Sequence, residues 1–250
     1  MDGAFFWSLA LLAALLVGMG KGGLPVVGML GVPVLSLAIS PVTAAGLLLP
    51  VYVLSDMFGL YAYRHDFNRR VLAILVVGVT IGVGLGWATA SITPEWLVTT
   101  LVGLVGAVFA ANLLLRRGGE TPAREAEIGR GLFWGTATGF TSFVSHSGGP
   151  PFQIYVQPLK LSKVVFAGTN TILFTYLNAI KLVPYWALGQ FSTANLKVAV
   201  MLMPVAAVAV FGGVRLVKMI PEQAFFKVIT WALLVVSLRL IWTGITGALV

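Results

Sequence analysis

Two short stretches of this 250-residue chain combine residue types that bind small anions. The first is Lys21-Gly22-Gly23-Leu24-Pro25. The second is Ser145-His146-Ser147-Gly148-Gly149-Pro150-Pro151. Each interrupts an apolar run. A helix broken at such a point exposes unpaired N–H groups at the start of its second piece, and the helix dipole adds positive potential there. Glycine suits the tip because it admits positive φ and lets an oxyanion approach the backbone. Lys21 adds a formal charge, Ser145, His146 and Ser147 add donors, and Pro150 or Pro151 can open a new helix without losing a hydrogen bond. His146 titrates in the physiological range and is a candidate proton relay.

Three further residues place chemistry inside apolar runs. Asp56 lies deep in the run 42–62, and Asn178 and Lys181 lie in the run 164–187, three residues apart on one helix face. An ionised group at membrane depth costs about 2.5–3.5 kcal/mol or more, which marks it as a functional candidate. Asp56 is read either as a proton-coupling group or as the structural partner of a lysine. Lys181 is read as an anion ligand, with snorkelling to the interface as the bland alternative. Gly82, Gly84 and Gly86 read as helix-packing residues without a site role.

The elements that must carry these residues follow from composition. Hydrophobic residues make up 58% of the chain and charged residues only 10%, and mean hydropathy is +0.97. Too few charges remain to cover a soluble surface of this size. The apolar runs 42–62, 71–90, 96–115, 164–187, 196–214 and 224–246 are each long enough to cross the bilayer as a helix. The alternation of a membrane barrel is absent. Regions 5–39 and 131–159 are apolar but broken in the middle, and their short pieces suit half-helices or re-entrant hairpins. The N-terminal run has no basic n-region and reads as retained. With no cysteine and two separated histidines, no metal and no cofactor is expected. The net charge of +8 reads as cytoplasmic loops, not as nucleic-acid binding.

The chain also repeats itself. Gly22-Gly23 recurs 126 positions on as Gly148-Gly149, Asp56 falls on Asn178 at an offset of 122, and Pro94-Glu95 falls on Pro221-Glu222 at 127. The expected organisation is a first repeat over 1–115, a polar cytoplasmic linker over 116–130 and a second repeat over 131–250. Basic character swaps between equivalent loops: Arg64, Arg69 and Arg70 in the first half face an uncharged counterpart in the second, whereas Arg215 and Lys218 have none in the first. Under the positive-inside rule the two halves are then inverted. The basic loops, the linker, Lys160 and Lys163 lie in the cytoplasm, and both termini face outward. Inverted repeats with broken helices are the signature of a secondary transporter.

At these residues the sequence resembles the TauE/SafE-type sulfite exporter family. The resemblance is carried by "GMGKGGLPVVGMLGVPVL" and "SPVTAAGLLLPVYVLSDMFGLYAYRHDF" in the first half. "SHSGGPPFQIYVQPLKL" and "GTNTILFTYLNAIKLVPYWALGQF" carry it in the second. It implies a multi-pass protein of the bacterial inner membrane that moves sulfite, an organosulfonate or a related oxyanion. Family motifs map onto Lys21, Gly22, Gly23, Asp56, His146, Gly148, Gly149, Asn178 and Lys181. Lys21 departs from the uninterrupted glycine run that many members carry.

The expected fold is therefore an all-α integral membrane protein of two inverted-topology repeats, each with a broken or re-entrant glycine-rich hairpin and about three spanning helices. The expected function is export by alternating access around a midplane site. Its substrate ligands are Lys21, Gly22, Gly23, Ser147, Gly148, Gly149, Asn178 and Lys181, and its proton-coupling candidates are Asp56 and His146. Expected partners are the anion, the lipid bilayer, protons and a second copy of the chain in a homodimer. The rival readings are an anion channel of the same architecture, marked by ohmic currents, and an intramembrane hydrolase built on His146 with Ser145 or Ser147. The latter lacks a carboxylate to orient the ring.

Overall fold

The computed structural model describes residues 3–22, 24–92, 94–115, 123–146, 148–189, 193–219 and 221–248. Of the residues singled out above, Gly23, Ser147 and positions 116–122 of the linker lie outside them, as do the side chains of Pro25, Glu95, Ser145, Lys163, Lys218 and Glu222. Every regular element among the described residues is helical: α1 (Ala4–Lys21), α2 (Pro25–Gly28), α3 (Gly31–Leu35), α4 (Pro41–Tyr63), α5 (Arg69–Ala90), α6 (Glu95–Leu115), α7 (Ile128–Ser145), α8 (Gly149–Val156), α9 (Lys163–Ala187), α10 (Thr193–Met219) and α11 (Glu222–Gly247). Helix is forced by the apolar environment the sequence calls for, because only helical segments satisfy their own backbone in lipid.

Local chemistry sets the boundaries. Ser40 caps α4 by accepting from Thr43 N–H, with Pro41 in the first turn. Asn68 caps α5, and Ser162 caps α9 by accepting from Val165 N–H. Ser40 and Ser162 are 122 positions apart, the spacing that also separates Asp56 from Asn178.

Four helices are long and apolar enough to cross a membrane among the described residues: Ala4–Lys21, Pro41–Tyr61, Arg69–Ala90 and Asn195–Gly213. Shorter apolar stretches occupy Trp96–Asn112 and Leu233–Gly247. α9 is long enough but not apolar enough, because its interior face carries Thr169, Thr171, Asn178, Lys181 and Tyr185, all buried.

The broken regions differ from expectation in one respect. Their first pieces are not short: α1 and α7 each have 18 residues, about 27 Å of helix. Only the second pieces are short. After each break the chain doubles back along the helix it has left. A Cβ at Gly31 would meet Val17 and the Ala13 carbonyl, and Gly20 lies against Gly28 so closely that a Cβ there would stand 2.5 Å from the Gly28 Cα. In the second half, Gly148 lies against Thr138 and Ser142, while the Tyr155 hydroxyl reaches the Glu127 carbonyl near the start of α7.

α4 packs on α9 and α6 on α11, in each case antiparallel. Along α4 and α9, Asp56 meets Asn178, Gly59 meets Thr171, and Tyr63 and Asp66 meet Gly168. Along α6 and α11, Thr100 meets Gly244, Gly103 meets Ile241, and Gly106 meets Ser237 and Leu233. The other large contacts are α5 on α7, α1 on α10, α4 on α10 and α5 on α9. Gly82 and Gly86 make the close contacts of α5 with α7, as expected of packing residues, but Gly84 has nothing within 4 Å of its would-be Cβ.

Candidate functional site

The first break places Lys21 at the last position of α1. Its ammonium forms an ion pair with Asp56 of α4 and lies 5.3 Å from the centre of the Tyr52 ring and 5.8 Å from that of Phe174. Asp56 is fully buried, and its second carboxylate oxygen accepts from the Asn178 side-chain amide. A buried carboxylate is tolerable only when paired and hydrogen-bonded in this way.

The second break turns on His146. It is the left-handed C-cap of α7, with φ 57° and ψ 20°, a conformation that costs a non-glycine residue roughly 1–2 kcal/mol. Sequence reasoning assigned positive φ to the glycines, but Gly22 (φ −73°) and Gly148 (φ −74°) are both on the negative side. The glycines serve close approach instead: a Cβ at Gly149 would strike the Met29 sulfur, and one at Gly148 the Thr138 carbonyl. Met29 follows α2, so this contact joins the two broken regions.

The turn at His146 carries its ring into the interior. The ring stacks on Tyr52, with centroids 4.5 Å apart and planes 12° apart. Nε2–H donates to the Ala45 carbonyl at 2.9 Å. A carbonyl only accepts, so Nε2 bears a hydrogen, and in the neutral ring Nδ1 is an acceptor. Nδ1 lies 2.8 Å from the Lys181 amine. Lys181 also donates to the Ser142 carbonyl at 3.0 Å and lies 3.1 Å from the Ser142 hydroxyl. One turn further along α9, Tyr185 donates to the Phe143 carbonyl. Ser142 and Phe143 belong to the last turn of α7, where the Ser142 carbonyl also accepts from His146 N–H at 3.0 Å. Lys181 and Tyr185, on one face of α9, thus cap the open end of α7, and the lysine faces its negative dipole end.

The structure therefore gathers Lys21, Asp56, His146, Asn178 and Lys181 into two adjoining clusters that share Tyr52. Both lysines are engaged by protein groups, and Lys181 is completely buried, so it does not snorkel. Gly22, Gly148 and Gly149 are buried beside them. Tyr52 and Ser142 were not singled out from sequence. Each lies four residues before a recognised polar residue, Asp56 and His146, and so on the same helix face, which was the available signal. Beyond Tyr185 and Phe143 a cavity of about 280 Å³ opens, lined by residues such as Ala45, Thr89, Ser91, Phe140 and Leu188. No group of three or more metal-ligating side chains occurs among the described residues.

The family model for the sulfite exporter TauE/SafE matches residues 9–240. The chain belongs to the TauE/SafE family. Searches of curated proteins and of solved structures returned no match. Membership in the TauE/SafE sulfite exporter family, together with the apolar helices, makes the chain a multi-pass membrane protein of a transporter family.

Proposed function

We propose that this TauE/SafE protein is a secondary transporter that exports a small sulfur-containing anion, sulfite or an organosulfonate, across the bacterial inner membrane by alternating access. The two halves, 1–115 and 131–250, act as inverted repeats joined by a cytoplasmic linker at 116–130. Antiparallel packing of α4 on α9 and of α6 on α11 supports the inversion, because helices exchanged by a two-fold axis in the membrane plane run in opposite directions. The return of α2 and α3 along α1, and of α8 along α7, supports reading both broken regions as re-entrant hairpins.

The substrate site is formed by Lys21, Gly22, Gly23, Ser147, Gly148, Gly149, Asn178 and Lys181, with Asp56 and His146 as the proton-coupling candidates. One observation carries this reading. The buried clusters hold two lysines, Lys21 and Lys181, against one carboxylate, Asp56, while His146 is hydrogen-bonded as a neutral ring. Lys181 has no carboxylate bonded to it among the described residues, and its ammonium form is costly in an apolar interior while unpaired, so a bound anion stabilises that form.

Sulfite flux in proteoliposomes tests the proposal. Lys181→Gln should lower flux roughly ten- to a hundredfold, the worth of a charged hydrogen bond. Full flux in that variant overturns the site, and a wild-type protein that moves neither sulfite nor isethionate overturns the function.

A further inference from the structure

The buried ionisable groups differ in what stands against them. Asp56 has Lys21 and Asn178. His146 has its two ring nitrogens bonded as donor and acceptor and its face covered by Tyr52. Lys181 is the buried lysine with no carboxylate bonded to it among the described residues: its partners are the Ser142 carbonyl, the Ser142 hydroxyl and His146 Nδ1. Around it stand His146 from the break after α7, Asp56 and Tyr52 from α4, Lys21 from α1, and Tyr185 on α9 itself.

The three partners suit two protonation states. An ammonium donates to all three. A neutral amine has two N–H groups and a lone pair, and a serine hydroxyl is both donor and acceptor. If the Ser142 hydroxyl turns to donate to the lone pair, the Ser142 carbonyl and His146 Nδ1 accept the two remaining N–H groups. Either state is then fully hydrogen-bonded with every heavy atom in place. That matters because an unsatisfied buried polar group is expensive, and an unpaired buried ammonium more so.

We propose that Lys181 is the proton carrier of the transport cycle, taking up one proton as the anion enters and releasing it as the anion leaves, with the Ser142 hydroxyl reversing its direction at each step. This rests on the transport reading of the same site. The proton added to the amine balances the charge of a monovalent anion, so the buried clusters carry the same net charge empty and loaded. Anion and proton favour each other's binding by the same factor, and they cross in the same direction. Lys21 is excluded from this role because Asp56 holds its charge in both states.

The test is calorimetric proton uptake by purified full-length protein, measured in buffers of different ionisation enthalpy. The probe is isethionate, whose sulfonate stays ionised throughout the working range, with sulfite as a second probe at alkaline pH, where it is already a dianion. Wild type should take up about one proton per anion bound, with affinity falling about tenfold per pH unit once the free amine predominates. Lys181→Arg, whose charge does not titrate, should bind without proton uptake, and Lys181→Gln should bind more weakly and likewise without uptake. Ser142→Ala should move the pH midpoint of uptake without changing its stoichiometry, and Ser142→Thr should restore the midpoint. Anion binding by wild type without proton uptake, or uptake that persists in either Lys181 variant, overturns the proposal while leaving the transporter intact. Absence of binding by either probe sinks the transport reading, and this inference with it. If Lys181→Gln fails to fold, Lys181→Arg and the two Ser142 variants decide the matter.

Discussion

Asn178 donates its side-chain amide to the Asp56 carboxylate across 122 positions of chain, close to the spacing that relates the two glycine pairs. Under the inverted repeat proposed above these two positions are equivalent, and such a pair touches when it lies close to the two-fold axis. They are not identical, and the difference has a function. A second aspartate in place of Asn178 would set two carboxylates together in a buried place, where both cannot stay ionised. The amide supplies a donor and removes that conflict.

The Lys21–Asp56 pair yields the largest stability effect. Asp56→Leu alone leaves the Lys21 ammonium without its partner, and Lys21→Met alone leaves a fully buried carboxylate. Each should cost about 3–5 kcal/mol, whereas the double variant should recover much of the loss. Thermal unfolding in detergent, arranged as a double-mutant cycle, reads the coupling. Additive losses would mean that the two side chains do not depend on each other.

At His146 the usual order of substitutions should reverse. His146→Ala loses the ring stack and keeps the left-handed backbone, whereas His146→Gly loses the stack but is at ease at φ 57°. The glycine variant should be the more stable of the two by roughly 1 kcal/mol. An alanine variant as stable as the glycine variant would show that the turn has moved.

Tyr52 holds both breaks. Its hydroxyl donates to the Gly28 carbonyl at 2.9 Å, and its ring carries His146 on one side. Tyr52→Phe should cost about 1 kcal/mol, the net worth of one hydrogen bond, and leave the stack in place. Tyr52→Leu should cost more and reduce anion flux as well. Equal unfolding temperatures for the two variants would remove the ring stack from the account.

Two glycines of the same type should behave oppositely. Gly20→Ala brings a Cβ within 2.5 Å of the Gly28 Cα, backbone against backbone, whereas Gly84→Ala meets nothing within 4 Å. The first should lose about 1–3 kcal/mol through overpacking, and the second should be neutral or slightly stabilising. Monodispersity and unfolding temperature after purification distinguish them.

Much of this was open to a reader of the sequence. Apolar length and near-absence of charge require membrane helices, because lipid offers backbone groups no other partner. Glycine and proline beside Lys21 and His146 mark the breaks, since neither residue continues a helix comfortably. Asp56, Asn178 and Lys181 announce themselves by their cost. Tertiary structure alone decided who pairs with whom. From sequence, Lys21 and Lys181 are equivalent cations at membrane depth, but packing gives one a carboxylate and leaves the other with a carbonyl, a hydroxyl and an imidazole. The left-handed turn likewise fell to His146 and not to a glycine, because interior contacts outweigh a local preference of about 1–2 kcal/mol. Patterns along the chain fix which groups must be buried; only the approach of distant helices fixes the partner each one finds there.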